Sequence, residues 1–138
     1  MSLFVDTSVW FAISDRSDPA NASAKRILSS SREPLVTTDH VVAETWILLH
    51  HRMGREVAES FWERLRTGVV DIEFVGLTDL ETAWQIGRSW TGQDFSIVDR
   101  TSFAVMLRLG IERVASLDEH FAIFRFGPRR RLYFKIAR

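Results

Sequence analysis

The sequence predicts a three-layer α/β fold built on a parallel sheet. Three observations lead there. Strand and helix patterns alternate along most of the 138 residues, the first strand is apolar without a break, and hydrophobic residues make up 46% of the chain. Alternation implies parallel pairing through crossover helices, and an unbroken apolar run implies a buried strand. Five Trp and ten Phe supply large pieces for a core, so the composition argues against disorder. The length fits one domain over residues 1–138.

Taken in order, residues 2–6 form the first strand, ending on Asp6. The stretch "DRSDPANASAKRILSS" starts a helix, with Asp18 as N-cap and Pro19 at the first helical position. "EPLVTT" (33–38) is the second strand. Asp39 caps the helix "HVVAETWILLHHRM", which Gly54 stops. "REVAESFWERLRT" is a further helix ending before Gly68, and "DIEFVGL" (71–77) is a strand. "TDLE" (78–81) reads as a capping box opening a helix to about Trp90. Residues 96–110 form a helix with Ser96 as its cap and Gly110 at its end. "RVASLD" (113–118) is a strand closing on an acid, "EHFAIF" is a helical turn, and "RRRLYFKIAR" is a last strand.

Several function classes are excluded or disfavoured. Eighteen basic and eighteen acidic residues cancel, which rules out a uniformly basic nucleic-acid coat but not a local patch. No uncharged span is long enough to cross a bilayer, so no membrane is expected as a partner. Cysteine is absent, which removes disulfides and thiolate metal sites and fits a reducing cytoplasm. The four histidines show no HExxH pattern, so zinc fits poorly. His50 and His51 lie near a helix C-terminus and are read as surface or partner residues.

The acids stand out by position. In an open parallel sheet, ligands sit beyond the carboxyl ends of the strands. Asp6 and Asp118 end strands there, and Asp94 and Asp99 flank the start of the 96–110 helix. Glu44 shares a helical stripe with Val41, Ile47 and Leu48, which is expected to face inward. Each has a structural alternative: caps for Asp6 and Asp118, a first-turn carboxylate for Asp99, and a buried ion pair, for instance with Arg100, for Glu44. Together they would repel one another, and buried carboxylates are costly. A hard divalent cation held by oxygens is the simplest remedy, and magnesium or manganese sites of that kind act on phosphoesters. Thr7, Ser8 and Ser96 supply supporting hydroxyls.

"FVDTSVW", "VVAETW", "DFSIVDRTSFAVM" and "ASLDEHF…FG" resemble the four acidic motifs of PIN domains, in order and over nearly the whole chain. The match is closest to VapC-type toxins of bacterial toxin–antitoxin pairs. The resemblance implies an α/β/α sandwich with a central, mainly parallel sheet of about five strands. It implies a Mg2+- or Mn2+-dependent endoribonuclease leaving a 5′-phosphate and a 3′-hydroxyl. By motif position Asp6, Glu44, Asp99 and Asp118 form the catalytic and metal-binding quartet, with Asp94 as an extra acid. It also implies a homodimer and a VapB-like antitoxin partner.

Basic contacts to RNA are expected from Arg100, Arg16, Lys25 and Arg26, whereas Arg129, Arg130 and Arg131 read as a solvated turn. The stretch 41–65, with Trp46, Leu48, Leu49, Phe61, Trp62 and Leu65, is read mainly as core but offers a groove for a partner helix. The rival readings are a catalytically inactive PIN-like binding module and another metal-dependent phosphoesterase. An aspartyl phosphatase is disfavoured because Ser8 stands where its second Asp belongs.

Overall fold

A computed structural model describes residues 1–138. Five parallel strands lie in the order β3-β2-β1-β4-β5. They are β1 (Leu3–Val5), β2 (Leu35–Thr38), β3 (Asp71–Glu73), β4 (Arg113–Ala115) and β5 (Lys135–Ile136). The helices are α1 (Thr7–Ser14), α2 (Asn21–Ser30), α3 (Asp39–Met53), α4 (Arg55–Arg66), α5 (Leu77–Ser89), α6 (Ile97–Leu109) and α7 (His120–Ile123). The chain steps outward from β1 through β2 to β3, then returns across the sheet to β4 on the other side of β1. Right-handed crossovers therefore put α1–α4 on one face and α5–α7 on the other.

β1 is central, and Leu3, Phe4 and Val5 are all buried. Its register pairs Phe4 with Val36 on one side and with Val114 on the other. Beneath β4 and β5 a cluster of phenylalanines locks α6 to α7: Phe103 stacks on Phe124 with ring centres 4.4 Å apart and meets Phe121 edge-on at 5.0 Å. That cluster fixes the start of α7 relative to α6. Beyond it the chain makes a 3-10 turn at Pro128–Arg130, where Arg129 and Arg130 are exposed and Arg130 lies over the Trp90 ring. The last strand is thus much shorter than the sequence suggests.

Several helix starts differ from the sequence reading, each for a local hydrogen-bonding reason. α1 was not expected at all, and Asp6 is its N-cap. α2 begins at Asn21 rather than Asp18, because the Asp18 carboxylate accepts the Ala20 N–H and makes a turn instead. Thr38, not Asp39, caps α3 through the Val41 N–H, while Asp39 accepts the Val75 N–H. α5 begins one residue before Thr78. Its capping carboxylate is Asp79, which accepts the Gly76 N–H, and not Glu81. The inward stripe of α3 is Val41, Val42, Thr45 and Leu49. Ile47 is 61% exposed and Leu48 37%, so Glu44 sits at the border of the buried face rather than in its middle.

Asp79 also receives two hydrogen bonds from Arg108 of α6, at 2.9 and 3.1 Å. Burial pushes its pKa up, but the Arg108 guanidinium and the Gly76 N–H outweigh this and hold it low. Removing the guanidinium strands a buried charge. Arg108→Met is expected to lower stability by about 2–3 kcal/mol, read as a fall in the urea midpoint with an unchanged slope.

Candidate active site

The reversal of strand order falls between β1 and β4, where a doubly wound sheet opens a crevice at its carboxyl edge. A cleft of about 530 Å³ occupies that place. Asp6, Glu44, Asp94, Asp99 and Asp118 all line it, with Thr7, Ser8 and Ser96. The sequence-selected residues therefore converge, although four separate segments supply them.

Each acid is anchored by the fold. Asp6 follows β1, and its own N–H continues the ladder to the Ala115 carbonyl at 3.0 Å. Its Oδ2 accepts from the Ser8 hydroxyl at 2.8 Å, the Ser116 hydroxyl at 3.0 Å and the Ser8 N–H at 3.3 Å. Asp99 and Ser96 form a reciprocal capping box, both bonds at 3.0 Å, so the cap and first-turn readings are correct as geometry. Asp118 Oδ1 accepts the His120 N–H at 2.8 Å. Asp6, Asp99 and Asp118 each spend one carboxylate oxygen on protein donors, and Oδ1, Oδ1 and Oδ2 respectively carry no protein hydrogen bond. Asp94 sits exposed at the rim.

The electrostatics follow from burial and crowding. Asp6 is 4% exposed. Burial, opposed by the Ser8 hydroxyl and reinforced by the Asp99 charge, pushes its pKa from 3.8 up to about 6. Glu44, half-buried, is raised as well, first by burial and then by Asp99 and Asp118, while the Thr7 hydroxyl works the other way. No basic side chain pairs with Glu44. Arg100 reaches instead to the carbonyls of Ala83 and Ser96, packed against α5 at Gly87.

Ser116, behind the cleft, and His120 and Arg52, in its lining, escaped the sequence reading. Ser116 ties Asp6 to the Asp118 loop, accepting the Asp118 N–H at 3.0 Å. His120 places Nδ1 2.7 Å from Asp99 Oδ2 and 3.4 Å from Asp118 Oδ1. Burial lowers the affinity of its ring for a proton, but Asp99, Asp118 and Glu119 together raise the pKa above 6.5. Arg52 is the arginine in the lining, its guanidinium 5.7 Å from the Phe11 ring centre. The signal was available: Glu44, Leu48 and Arg52 follow one another at intervals of four on α3. Arg16, Lys25, Arg26 and Arg100, expected around the cleft, are not part of its lining.

A profile of the PIN domain matches residues 3–127. The 23S rRNA-specific endonuclease VapC20 of Mycobacterium tuberculosis, from strains CDC 1551 / Oshkosh and H37Rv, is 36% identical over 120 residues, 87% of this chain and 92% of the relative. The chain belongs to the PIN-domain family, among its VapC-type nucleases. Ribonuclease VapC26 of M. tuberculosis H37Rv is 27% identical over 124 residues, 89% of this chain and 92% of that one. The crystal structure of VapC20, described as a sarcin–ricin loop cleaving toxin, superposes with a TM-score of 0.83 at 35% identity, covering 87% of this chain and 92% of the other. VapBC2 from Rickettsia felis, bound to a DNA fragment from its promoter, shares the fold with a TM-score of 0.70 at 10% identity over the full length of both chains.

The residues present fit the divalent cation that PIN nucleases use. Ligand atoms of Asp99, Asp118 and His120 lie within 4.8 Å of one another, and Asp6 and Glu44 line the same cleft at raised pKa. Carboxylate oxygens suit magnesium and manganese.

Without metal, the Asp6 carboxyl holds its proton more tightly in the native state than in the unfolded chain. Stability is therefore lost as pH rises from about 4 to about 6, and the loss is complete above that. A shift of this size corresponds to about 3 kcal/mol. Metal-free Asp6→Asn is expected to melt higher than wild type at pH 7.5 and to match it near pH 4. Equal melting curves at both pH values would show that the carboxylate carries no such penalty.

Proposed function

We propose that the protein is the toxin of a VapBC-type pair, a cytoplasmic endoribonuclease hydrolysing RNA phosphodiesters at the acidic cleft. Residues 1–138 act as one PIN domain, and Asp6, Glu44, Asp99 and Asp118 hold the divalent cation, Mg2+ or Mn2+, with Asp94 at the rim. The observation that carries the reading is the convergence of all these acids on one cleft at the switch point of a VapC20-like fold.

When bound, the cation supplies charge for the phosphoryl oxygens and acidifies water. The chain's own groups do the rest. Asp99 and Asp118 are fixed by backbone N–H groups, which hold their carboxylates in the cleft. Glu44, with its raised pKa, lines the cleft where a carboxylate can take a proton from an attacking water. Arg52, steadied by Phe11, offers a charge to a phosphate of the RNA backbone at the mouth. Ser8 and Ser116 hold Asp6 and join the two loops that frame the site. No helix is long and apolar enough to cross a membrane.

VapC20's substrate makes 23S rRNA, at its sarcin–ricin loop, the first RNA to test. The purified protein with Mg2+ or Mn2+ is expected to cut it once and leave a 5′-phosphate and a 3′-hydroxyl. Asp99→Asn and Glu44→Gln should lower the rate by at least about 100-fold. A homogeneous protein that cuts no RNA with either metal would refute the reading and favour an inactive binding module.

Docking of a VapB-like antitoxin is assigned to a second cavity of about 510 Å³. Val42, Ala43, Trp46, Ile47, Trp62, Ile72 and Phe74 line it, with Asp39. Of the aromatic stretch read as core, Leu49, Phe61 and Leu65 are indeed buried, whereas Trp62 is 47% exposed on this groove. Trp62→Asp is expected to abolish inhibition by the cognate antitoxin and leave cleavage unchanged. Inhibition that survives would place the antitoxin elsewhere. The homodimer is proposed as well, and light scattering giving the monomer mass would exclude it.

A further inference from the structure

We propose that His120 is a nitrogen ligand of the cation in the acidic cleft and that it tilts the site toward manganese over magnesium. The inference rests on the metal-dependent nuclease reading above and deepens it. Two ligand atoms at right angles around a cation about 2.1 Å away stand about 3 Å apart. His120 Nδ1 lies 2.7 Å from Asp99 Oδ2 and 3.4 Å from Asp118 Oδ1, on either side of that edge length. Asp99 Oδ2 and Asp118 Oδ1 each accept one backbone N–H, from Ser96 and from His120, and keep a second lone pair, so the three residues offer two oxygens and a nitrogen within 4.8 Å of one another.

The Thr7 hydroxyl, 6% exposed, belongs to the same lining and acts on the Glu44 carboxylate. The imidazole is also held for the task. Phe95 packs edge-on against it at 5.2 Å, and its backbone N–H binds Asp118. Imidazole suits manganese and the later metals, whereas magnesium favours an all-oxygen shell. The competing role is that of a positioning residue, in which His120 donates to Asp99 and never touches the metal. Loss of activity on substitution would follow from either role, so the test reads the metal's own ligands.

Mn2+ is added below stoichiometry to the full chain, and electron spin-echo spectra are compared for protein with ordinary and with 15N-labelled histidine. The expected result is a directly bound nitrogen coupling that changes with the isotope and vanishes in His120→Gln. In competition titrations the preference for Mn2+ over Mg2+ should fall on the order of tenfold in His120→Gln. If that variant does not fold, judged by circular dichroism, His120→Asn takes its place, and the isotope comparison stands on the wild-type protein alone. Mn2+ bound without histidine coupling, or Mg2+ and Mn2+ weakened equally, overturns the ligand assignment and leaves the acidic metal site standing. Failure of the wild-type protein to bind Mn2+ overturns both.

Discussion

Burial of several carboxylates side by side at the carboxyl edge of the sheet is the constraint around which this molecule is built. The strand order sends β2 and β4 to opposite sides of β1, so the loops after β1 and β4 face each other across a crevice. Asp6 and Asp118 come from those loops, Asp99 from the start of α6, and Glu44 from α3, which touches both α1 and α6. Bringing the acids together costs energy that the rest of the fold must offset. The raised pKa values of Asp6 and Glu44 record that cost, with burial as the largest cause in both.

The offset comes from serine hydroxyls and from helix N-termini. Asp6 caps α1, Asp99 closes the capping box of α6, and Asp118 precedes α7. Each carboxylate meets N–H groups that have no partner within their own helix, and the dipole adds about 0.3–1 kcal/mol per site. At Asp6 the Ser8 and Ser116 hydroxyls contribute more than the Ser8 N–H. Ser8 donates to Asp6 and accepts the Leu117 N–H at 2.9 Å, so it bonds to the β1 and β4 loops at once. Capping and site-building are therefore the same interactions. The choice between a structural cap and a functional acid, which the sequence poses for Asp6 and Asp99, is answered by both.

The legibility of this arrangement in the sequence was uneven for physical reasons. The alternation of strands and crossover helices follows from coarse hydrophobic patterning, which survives small errors, so parallel pairing was readable, whereas the strand order within the sheet comes from the structure. α1 was not, because its helix begins directly on the residue that ends β1. Apolar periodicity cannot separate a strand running on from a helix turning back within so few residues. Caps were misplaced at Asp18, Asp39 and Glu81 because any short polar residue near a helix start looks suitable, and tertiary partners choose among them. Val75, for instance, takes the Asp39 carboxylate. The acids could be singled out because a carboxylate beside buried apolar residues violates patterning. Ser116 and His120 violate nothing, and their importance appears when loops distant in sequence are placed side by side. Arg100 shows the converse: adjacency to Asp99 suggested a cleft residue, but on a helix neighbouring residues point apart, and its guanidinium lies against α5.

The charge balance of the cleft links cation binding to substrate binding. Six carboxylates line it, from Asp6, Asp18, Glu44, Asp94, Asp99 and Asp118, against Arg52 and the imidazole of His120. A chain with no net charge has no long-range field to draw in a polyanion, and at the cleft itself a phosphate meets net negative charge. At about 4 Å, each unscreened like-charge pair near a protein surface costs on the order of 4 kcal/mol, more than one arginine at the mouth can cancel. RNA and cation must therefore enter as mutually favourable ligands, each reducing the cost of placing the other. In the reading proposed above, the carboxylates that support chemistry also oppose RNA until a cation offsets their charge.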